Sequence, residues 1–233
     1  MSETWRGKEM DVDILYSKAG IATQILITDR LTGDHLLVDC GDGCSRDLVN
    51  HEIDVHNLKG ILITHGHADH VGGLYSLLTM LRLFQFKDEL TVFAPSTCEE
   101  AFALINIFLT VYNTRIPYTL HYHELNSGVF ESLEHFIIKP FAVLHYESTD
   151  DSSVKVEKPS FGYRITLREE TVVISGDSLP CQALEEEVAG VDLAVIEATY
   201  DENFFREPPN HLDLKYAKYL GESAKCHILI HRY

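Results

Sequence analysis

The feature that most constrains this chain is a cluster of metal-binding side chains directly after a short apolar segment. Ile61-Leu-Ile63 is typical of a buried strand, and it runs into Thr64-His-Gly-His-Ala-Asp-His70, where four ligating side chains fall within six residues. The leucines of Gly72–Leu83 recur at helical spacing, so a helix should follow. Histidine and aspartate at this spacing predict a site for Zn²⁺, Mn²⁺ or Fe²⁺. A surface loop that happens to hold three histidines is the alternative.

Length and composition favour a single globular domain over residues 1–233. Hydrophobic residues make up 45% and charged residues 24%, which argues against a disordered chain. No apolar run reaches the roughly 18 residues of a membrane-spanning helix, and the N-terminus lacks the apolar segment of a signal peptide. These features favour a cytoplasmic protein without a membrane partner. The five cysteines, an odd number, favour free thiols over disulfides.

Apolar patterning predicts strands and helices interspersed along the chain. Strands are expected at 10–15, 21–28, 36–38, 60–63, 90–94, 119–125, 135–141, 161–167, 171–174, 193–196 and 227–230. Helices are expected from Cys44 onward, over 72–83, from the Ser96–Glu99 segment onward, over 179–188 and over 212–222. Ser96-Thr-Cys-Glu99 matches a capping box, which predicts how the third of these helices begins. The mixture indicates an α/β domain with mixed sheets.

His-x-His-x-Asp-His after a hydrophobic strand resembles the signature of the metallo-β-lactamase superfamily, and further matches follow in the expected order. Asp39-Cys-Gly-Asp-Gly43 resembles the loop that supports the metal site in that superfamily. His145, Asp177 and His231 stand where the family places its next metal-binding histidine, its bridging aspartate and its final histidine. The resemblance implies an αββα sandwich, in which two mixed β-sheets pack face to face and helices flank them.

The chain also resembles a narrower branch of this superfamily, tRNase Z, which cleaves tRNA precursors at their 3′ end. Glu197-Ala-Thr-Tyr200, Phe161-Gly-Tyr-Arg-Ile165, His211 and the closing His231-Arg-Tyr233 match its pattern. In that branch the histidine corresponding to His211 donates a proton, and the glutamate corresponding to Glu197 holds it.

One departure from the tRNase Z pattern, together with the charge of the chain, disfavours tRNA as the substrate. The tRNA-gripping arm of that branch would lie between Tyr163 and Ile174, where this chain has only enough residues for a tight hairpin. The formal net charge is −17, and a chain this acidic works against binding a polyanion. Another departure, Ala68 in place of a glycine before Asp69, is common elsewhere in the superfamily.

The resemblance implies a binuclear centre, most simply with two Zn²⁺ ions. Seven side chains are the expected ligands: His65, His67 and His145 for one ion, Asp69, His70 and His231 for the other, and Asp177 as the bridge. A hydroxide that bridges the ions would be the nucleophile, because two cations lower the pKa of a bound water. The expected catalytic residues are Asp69, His211 and Glu197, with His211 as proton donor. Asp39 is expected to accept the second ring N–H of a ligating histidine.

Four functions are open on this basis. The favoured one is a metal-dependent phosphodiesterase that acts on a small phosphodiester or another small molecule. The alternatives are a tRNA 3′-processing endonuclease, a hydrolase of a small ester, thioester or lactam, and a non-catalytic metal-binding scaffold. Asp177 argues against a β-lactamase, and the complete ligand set argues against a scaffold. A homodimer is left open.

Overall fold

The structure is a computed structural model, and it describes residues 3–147, 156–201 and 210–233. Its contacts group the chain into two compact units, Met1–Leu125 and Asn126–Tyr233. Among the described residues, no helix is both long enough and apolar enough to cross a membrane. The single domain expected from the sequence stays a prediction.

The first unit is a mixed β-sheet with helices packed on one of its faces. Its strands are β1 Thr4–Arg6, β2 Met10–Lys18, β3 Ala22–Asp29, β4 His35–Val38, β5 Leu58–Leu62, β6 Glu89–Pro95 and β7 Thr119–Leu125. Its helices are α1 Cys44–Asn50, α2 Ala68–Val71, α3 Leu74–Leu83 and α4 Glu99–Tyr112, with 3₁₀ turns at Val55–Asn57 and Asn113–Arg115. The strands lie in sequence order, antiparallel from β1 to β4 and parallel from β4 to β7.

Helix α3 confirms the leucine periodicity, because the leucines at 74, 77, 78 and 81 are all fully buried. They share one hydrophobic core with Ile61 of β5 and Val92 of β6. Each buried leucine contributes about 2 kcal/mol through removal of its apolar surface from water. This packing fixes α3 on the sheet, and α3 begins four residues after His70.

The capping box predicted at Ser96 is wrong, although a helix does follow. The N-cap of α4 is Cys98, and no side chain caps it. Cys98 N donates to Pro95 O, and Thr97 takes a left-handed φ of 70°. Ser96 therefore belongs to a turn after β6, and the helix begins at Glu99.

The second unit is also a mixed sheet with helices on one face. Its strands are β8 Glu131–Leu133, β9 Phe136–Ala142, β12 Phe161–Leu167, β13 Glu170–Ile174, β14 Leu193–Glu197 and β15 His227–Ile230. A separate pair consists of β10 Tyr146–Glu147 and β11 Val156–Glu157, and the helices are α5 Gln182–Val188 and α6 Leu214–Gly221. The sheet order is β15-β14-β13-β12-β9-β8, parallel from β15 to β13 and antiparallel beyond.

The hairpin expected between Tyr163 and Ile174 is confirmed. Tyr163 pairs with Ile174 across β12 and β13, and Leu167 pairs with Glu170, so only residues 168 and 169 form the turn. Arg168 takes a left-handed φ of 53° there. No arm can emerge from a turn of this length.

Candidate metal centre

In the first unit, the His65–His70 segment forms two close pairs of ligating atoms. His65 Nε2 lies 3.0 Å from His67 Nδ1, and His70 Nε2 lies 3.9 Å from Asp69 Oδ2. The first pair lies between the end of β5 and the start of α2, and the short helix α2 carries the second pair. The rings of His65 and His70 are also close, with centroids 4.2 Å apart, so the expected division of these four ligands between two ions stays a prediction.

Asp39 holds His70, as expected for a residue that accepts the second ring N–H of a ligand. Asp39 Oδ2 lies 2.7 Å from His70 Nδ1, so Nε2 is left on the side of Asp69. Thr64 donates to the same carboxylate through its backbone N–H (2.8 Å) and its hydroxyl (2.8 Å). Burial raises the pKa of Asp39, and the contacts with His70 and Thr64 oppose that rise.

The loop after β4 packs directly on this segment. Cys40 N donates to His70 O (2.7 Å), and Gly73 N donates back to Cys40 O (2.8 Å). A Cβ at Gly41 would lie 2.3 Å from Asp69 O, so only glycine permits this approach. Gly20 N donates to Asp69 Oδ2 at 2.8 Å. Backbone contacts therefore fix the carboxylate and the histidine together.

In the second unit, Asp177 lies among three histidines. The ligating atoms of His145, Asp177 and His211 all lie within 4.8 Å of one another. Asp177 Oδ2 is also 3.6 Å from His231 Nε2. His145, Asp177 and His231 are almost completely buried, with at most 2% of each exposed. These buried side chains are the ligands expected in this unit, and the bridging role of Asp177 stays a prediction.

Three of the candidate ligands, all histidines, have a hydrogen-bonding partner at Nδ1 that sequence reasoning missed. His231 Nδ1 lies 2.8 Å from Thr199 Oγ1, and His145 Nδ1 lies 3.1 Å from the backbone oxygen of Asn210. His65 Nδ1 lies 3.1 Å from the hydroxyl of Thr64. Such partners fix the ring orientation and the tautomer of a metal ligand. The available signal was the threonine two residues beyond each strand end, in Leu62-Ile-Thr64 and Glu197-Ala-Thr199.

The structure brings Glu197 and His211 together. His211 Nδ1 lies 3.2 Å from Glu197 Oε1, which also accepts from the backbone N–H groups of Ser178 (2.9 Å) and Leu212 (3.1 Å). Glu197 Oε2 accepts from both the N–H (3.2 Å) and the hydroxyl (2.7 Å) of Thr199. Glu197 is fully buried, and all its neighbours here are donors. Such a carboxylate acts as an acceptor that orients His211.

The donor set fits a borderline divalent ion such as Zn²⁺. It combines imidazole nitrogens with carboxylate oxygens, the ligands that Zn²⁺, Mn²⁺ and Fe²⁺ share. Four of the five histidines, His65, His70, His145 and His231, are buried, and one ring nitrogen of each faces a hydrogen-bonding partner, as ligating imidazoles require. The candidate ligands of the first unit are His65, His67, Asp69 and His70, and those of the second unit are His145, Asp177 and His231.

Comparison with solved structures identifies the fold. The metallo-β-lactamase fold protein YhfI from Bacillus subtilis matches with a TM-score of 0.75 at 18% identity, over 96% of this chain and 86% of that one. Human tRNase Z, short form, matches with a TM-score of 0.76 at 21% identity, over 95% of this chain and 92% of that one. The fold class expected from the sequence is thus confirmed.

Sequence comparison identifies relatives and the family. Ribonuclease Z of Saccharolobus islandicus (strain M.14.25 / Kamchatka #1) is 28% identical over 209 residues, which cover 77% of this chain and 70% of that protein. Fold, site and relatives together define a metallo-β-lactamase-fold hydrolase with a His/Asp metal site. The model of the family described as Anti-Pycsar protein Apyc1 matches residues 16–233, and the chain belongs to this family.

Proposed function

We propose that this protein is a binuclear metal-dependent phosphodiesterase that hydrolyses small phosphodiesters, with cyclic nucleotides as the first candidates. The observation that carries the proposal is the Glu197–His211 pair, whose histidine lies 3.6 Å from Asp177 Oδ2. A scaffold that only binds metal has no need of a buried carboxylate that holds a histidine beside a ligand.

The seven His and Asp side chains are the proposed metal ligands, divided as the sequence indicates. When bound, two Zn²⁺ ions would supply a water of lowered pKa and would offset the charge of the phosphate. Asp69 and Asp177 contribute carboxylate oxygens, and Asp39 and Thr199 hold ligating imidazoles in place.

His211 is the proposed proton donor to the leaving group. Glu197 contacts Nδ1, and Nε2 is the proposed donating nitrogen. Hydrolysis of a cyclic nucleotide adds water to phosphorus and breaks one P–O bond to the ribose. The departing alkoxide takes a proton, and the product is a nucleoside monophosphate. A proton donor matters in this reaction because an alkoxide is a poor leaving group.

Charge and topology support a small diester over tRNA. The turn between β12 and β13 has room for two residues only, so that hairpin carries no tRNA-gripping arm. Binding to a polyanion is driven by the counterions that basic side chains release from its phosphates. A chain with a net charge of −17 repels a polyanion instead. A cyclic nucleotide carries one negative charge, which two bound cations would offset locally. The matched family model is that of a cyclic-nucleotide phosphodiesterase, which supports the same choice.

A panel of substrates tests the proposal. Metal-loaded protein is assayed on cyclic purine and pyrimidine nucleotides, bis(p-nitrophenyl) phosphate, a tRNA precursor and a chromogenic lactam. We expect hydrolysis of the two diester classes and little cleavage of the precursor or the lactam. His211→Ala should lower cyclic-nucleotide turnover by about 10²–10⁴-fold and affect the nitrophenyl ester far less, because nitrophenolate leaves without a proton.

The matched control is His135→Ala, which removes an exposed histidine of the same unit. It should leave both activities unchanged. Equal losses on both diesters in His211→Ala would assign His211 a structural role. The second candidate is a tRNA 3′-endonuclease, favoured by the 28% identity with a ribonuclease Z. Efficient 3′ cleavage of the precursor at physiological salt would favour the endonuclease over a small-diester phosphodiesterase.

A further inference from the structure

The hydroxyl of Thr199 contacts two functional groups at once. Thr199 Oγ1 lies 2.7 Å from Glu197 Oε2 and 2.8 Å from His231 Nδ1. The threonine is 2% exposed, so water has little access to these contacts. One small group therefore joins a proposed metal ligand to the carboxylate that orients the proposed proton donor.

Donor and acceptor counting fixes the direction of these hydrogen bonds. A hydroxyl has one proton to donate and lone pairs to accept with. The contact with the carboxylate of Glu197 is shorter than the 3.0 Å contact with the backbone oxygen of His231, and bonds to ionised acceptors are stronger. The hydroxyl therefore donates to Glu197 and accepts from His231 Nδ1–H.

That direction sets the tautomer of His231. With the proton on Nδ1, the lone pair is on Nε2, the nitrogen that lies 3.6 Å from Asp177 Oδ2. The chain of bonds then runs from His231 Nδ1–H through Thr199 to Glu197, which also accepts from His211 Nδ1. Each link has a single donor, so reversing one link disturbs the next.

We propose that Thr199 is a positioning residue that couples metal binding at His231 to the orientation of His211. The inference rests on the proposed function, because it assigns both histidines the roles given there. Thr199→Val is the direct test, since valine keeps the shape and the backbone N–H that reaches Glu197 but lacks the hydroxyl. Thr199→Ser restores the hydroxyl. Thr166→Val, in β12, is the matched control.

The first measurement is zinc affinity, by competition between the metal-free protein and a chromogenic chelator. Loss of a partner that orients a ligand costs about 10–100-fold in metal affinity. We expect a loss of that size at one of two zinc sites in Thr199→Val, and wild-type affinity in Thr199→Ser and Thr166→Val. Unchanged affinity in Thr199→Val would overturn the inference. A wild-type protein that binds no zinc would overturn the proposed function, and this inference with it.

The second measurement tests the coupling. At saturating zinc, Thr199→Val should lower kcat for a cyclic nucleotide more than for bis(p-nitrophenyl) phosphate. In a His211→Ala background the same change should lower both equally, because the proton donor is already gone. Equal losses in the wild-type background, or the same unequal losses in both backgrounds, would overturn the coupling.

Discussion

The environment of Glu197 yields a prediction for Glu197→Gln, a change that keeps the shape and exchanges one acceptor oxygen for an NH₂ donor. Oε1 receives three N–H donors, and Oε2 receives the N–H and the hydroxyl of Thr199. The amide should keep its oxygen on the Oε1 side, where it satisfies more donors. Its NH₂ then faces Thr199, whose hydroxyl can rotate to accept.

The expected loss of unfolding free energy comes from the one hydrogen-bond donor that cannot find a new acceptor. The backbone N–H of Thr199 loses its acceptor in a fully buried position, which costs about 1–3 kcal/mol of unfolding free energy. His211 loses a charged acceptor as well, so turnover of cyclic nucleotides should fall by about 10–100-fold. The loss should be smaller than that of His211→Ala.

Urea unfolding of the metal-free protein measures the change in unfolding free energy. Cyclic-nucleotide turnover at saturating zinc measures the change in activity. Glu222→Gln, which alters an exposed glutamate of the same unit, is the control and should match the wild type. A Glu197→Gln variant that is as stable and as active as the wild type would refute the assignment of Glu197 as the buried acceptor that orients His211.

Three further predictions concern metal binding, pH and packing. Asp177→Ala should reduce bound metal at both sites, measured by metal analysis of undialysed protein, whereas Asp88→Ala, which removes an exposed carboxylate, should not. Burial lowers the pKa of His35 in the folded chain below its value of about 6.5 in the unfolded chain. As the pH falls through this range, the unfolded state binds more protons than the folded state, so the free energy of unfolding decreases. His35→Gln should therefore reduce the loss of unfolding free energy between pH 7.5 and 5.5, and an unchanged pH dependence would contradict this assignment. Leu81→Ala in the core of the first unit should cost about 2–5 kcal/mol in urea unfolding, and a cost under about 1 kcal/mol would contradict the packing described for α3.

The sequence predicted the elements whose signal is local. The apolar runs that became β5 and β14 and the leucines of α3 carry their pattern within a few residues, and their positions are confirmed. Four short strands are absent from the sequence prediction, because two or three residues are too few for a periodic signal: Thr4–Arg6, Glu131–Leu133, Tyr146–Glu147 and Val156–Glu157. They exist because a neighbouring strand pairs with them, which is not a local property.

The candidate site also divides into residues that the sequence predicts and contacts that only the fold reveals. The sequence and its resemblance named the candidate ligands, the Glu197–His211 pair and Asp39 as a supporting carboxylate, but they did not name the two threonines that contact these groups. Thr64 and Thr199 stand beside apolar strand residues, where threonine is also an ordinary β-former. Their hydroxyls matter because neighbouring parallel strands bring them beside Asp39 and His231, and only the sheet register reveals that proximity.

The backbone at Asp39 and His231 narrows which residues can evolve or be engineered there. Each directly follows a strand and takes a left-handed φ, 61° for Asp39 and 56° for His231. Among residues with side chains, aspartate, asparagine and histidine tolerate this conformation best, and β-branched residues tolerate it worst. Both positions are therefore constrained twice, by the chemistry of the proposed site and by the backbone geometry. Libraries that vary these positions should draw on that short list, since other exchanges would disturb the turn before they tested the chemistry.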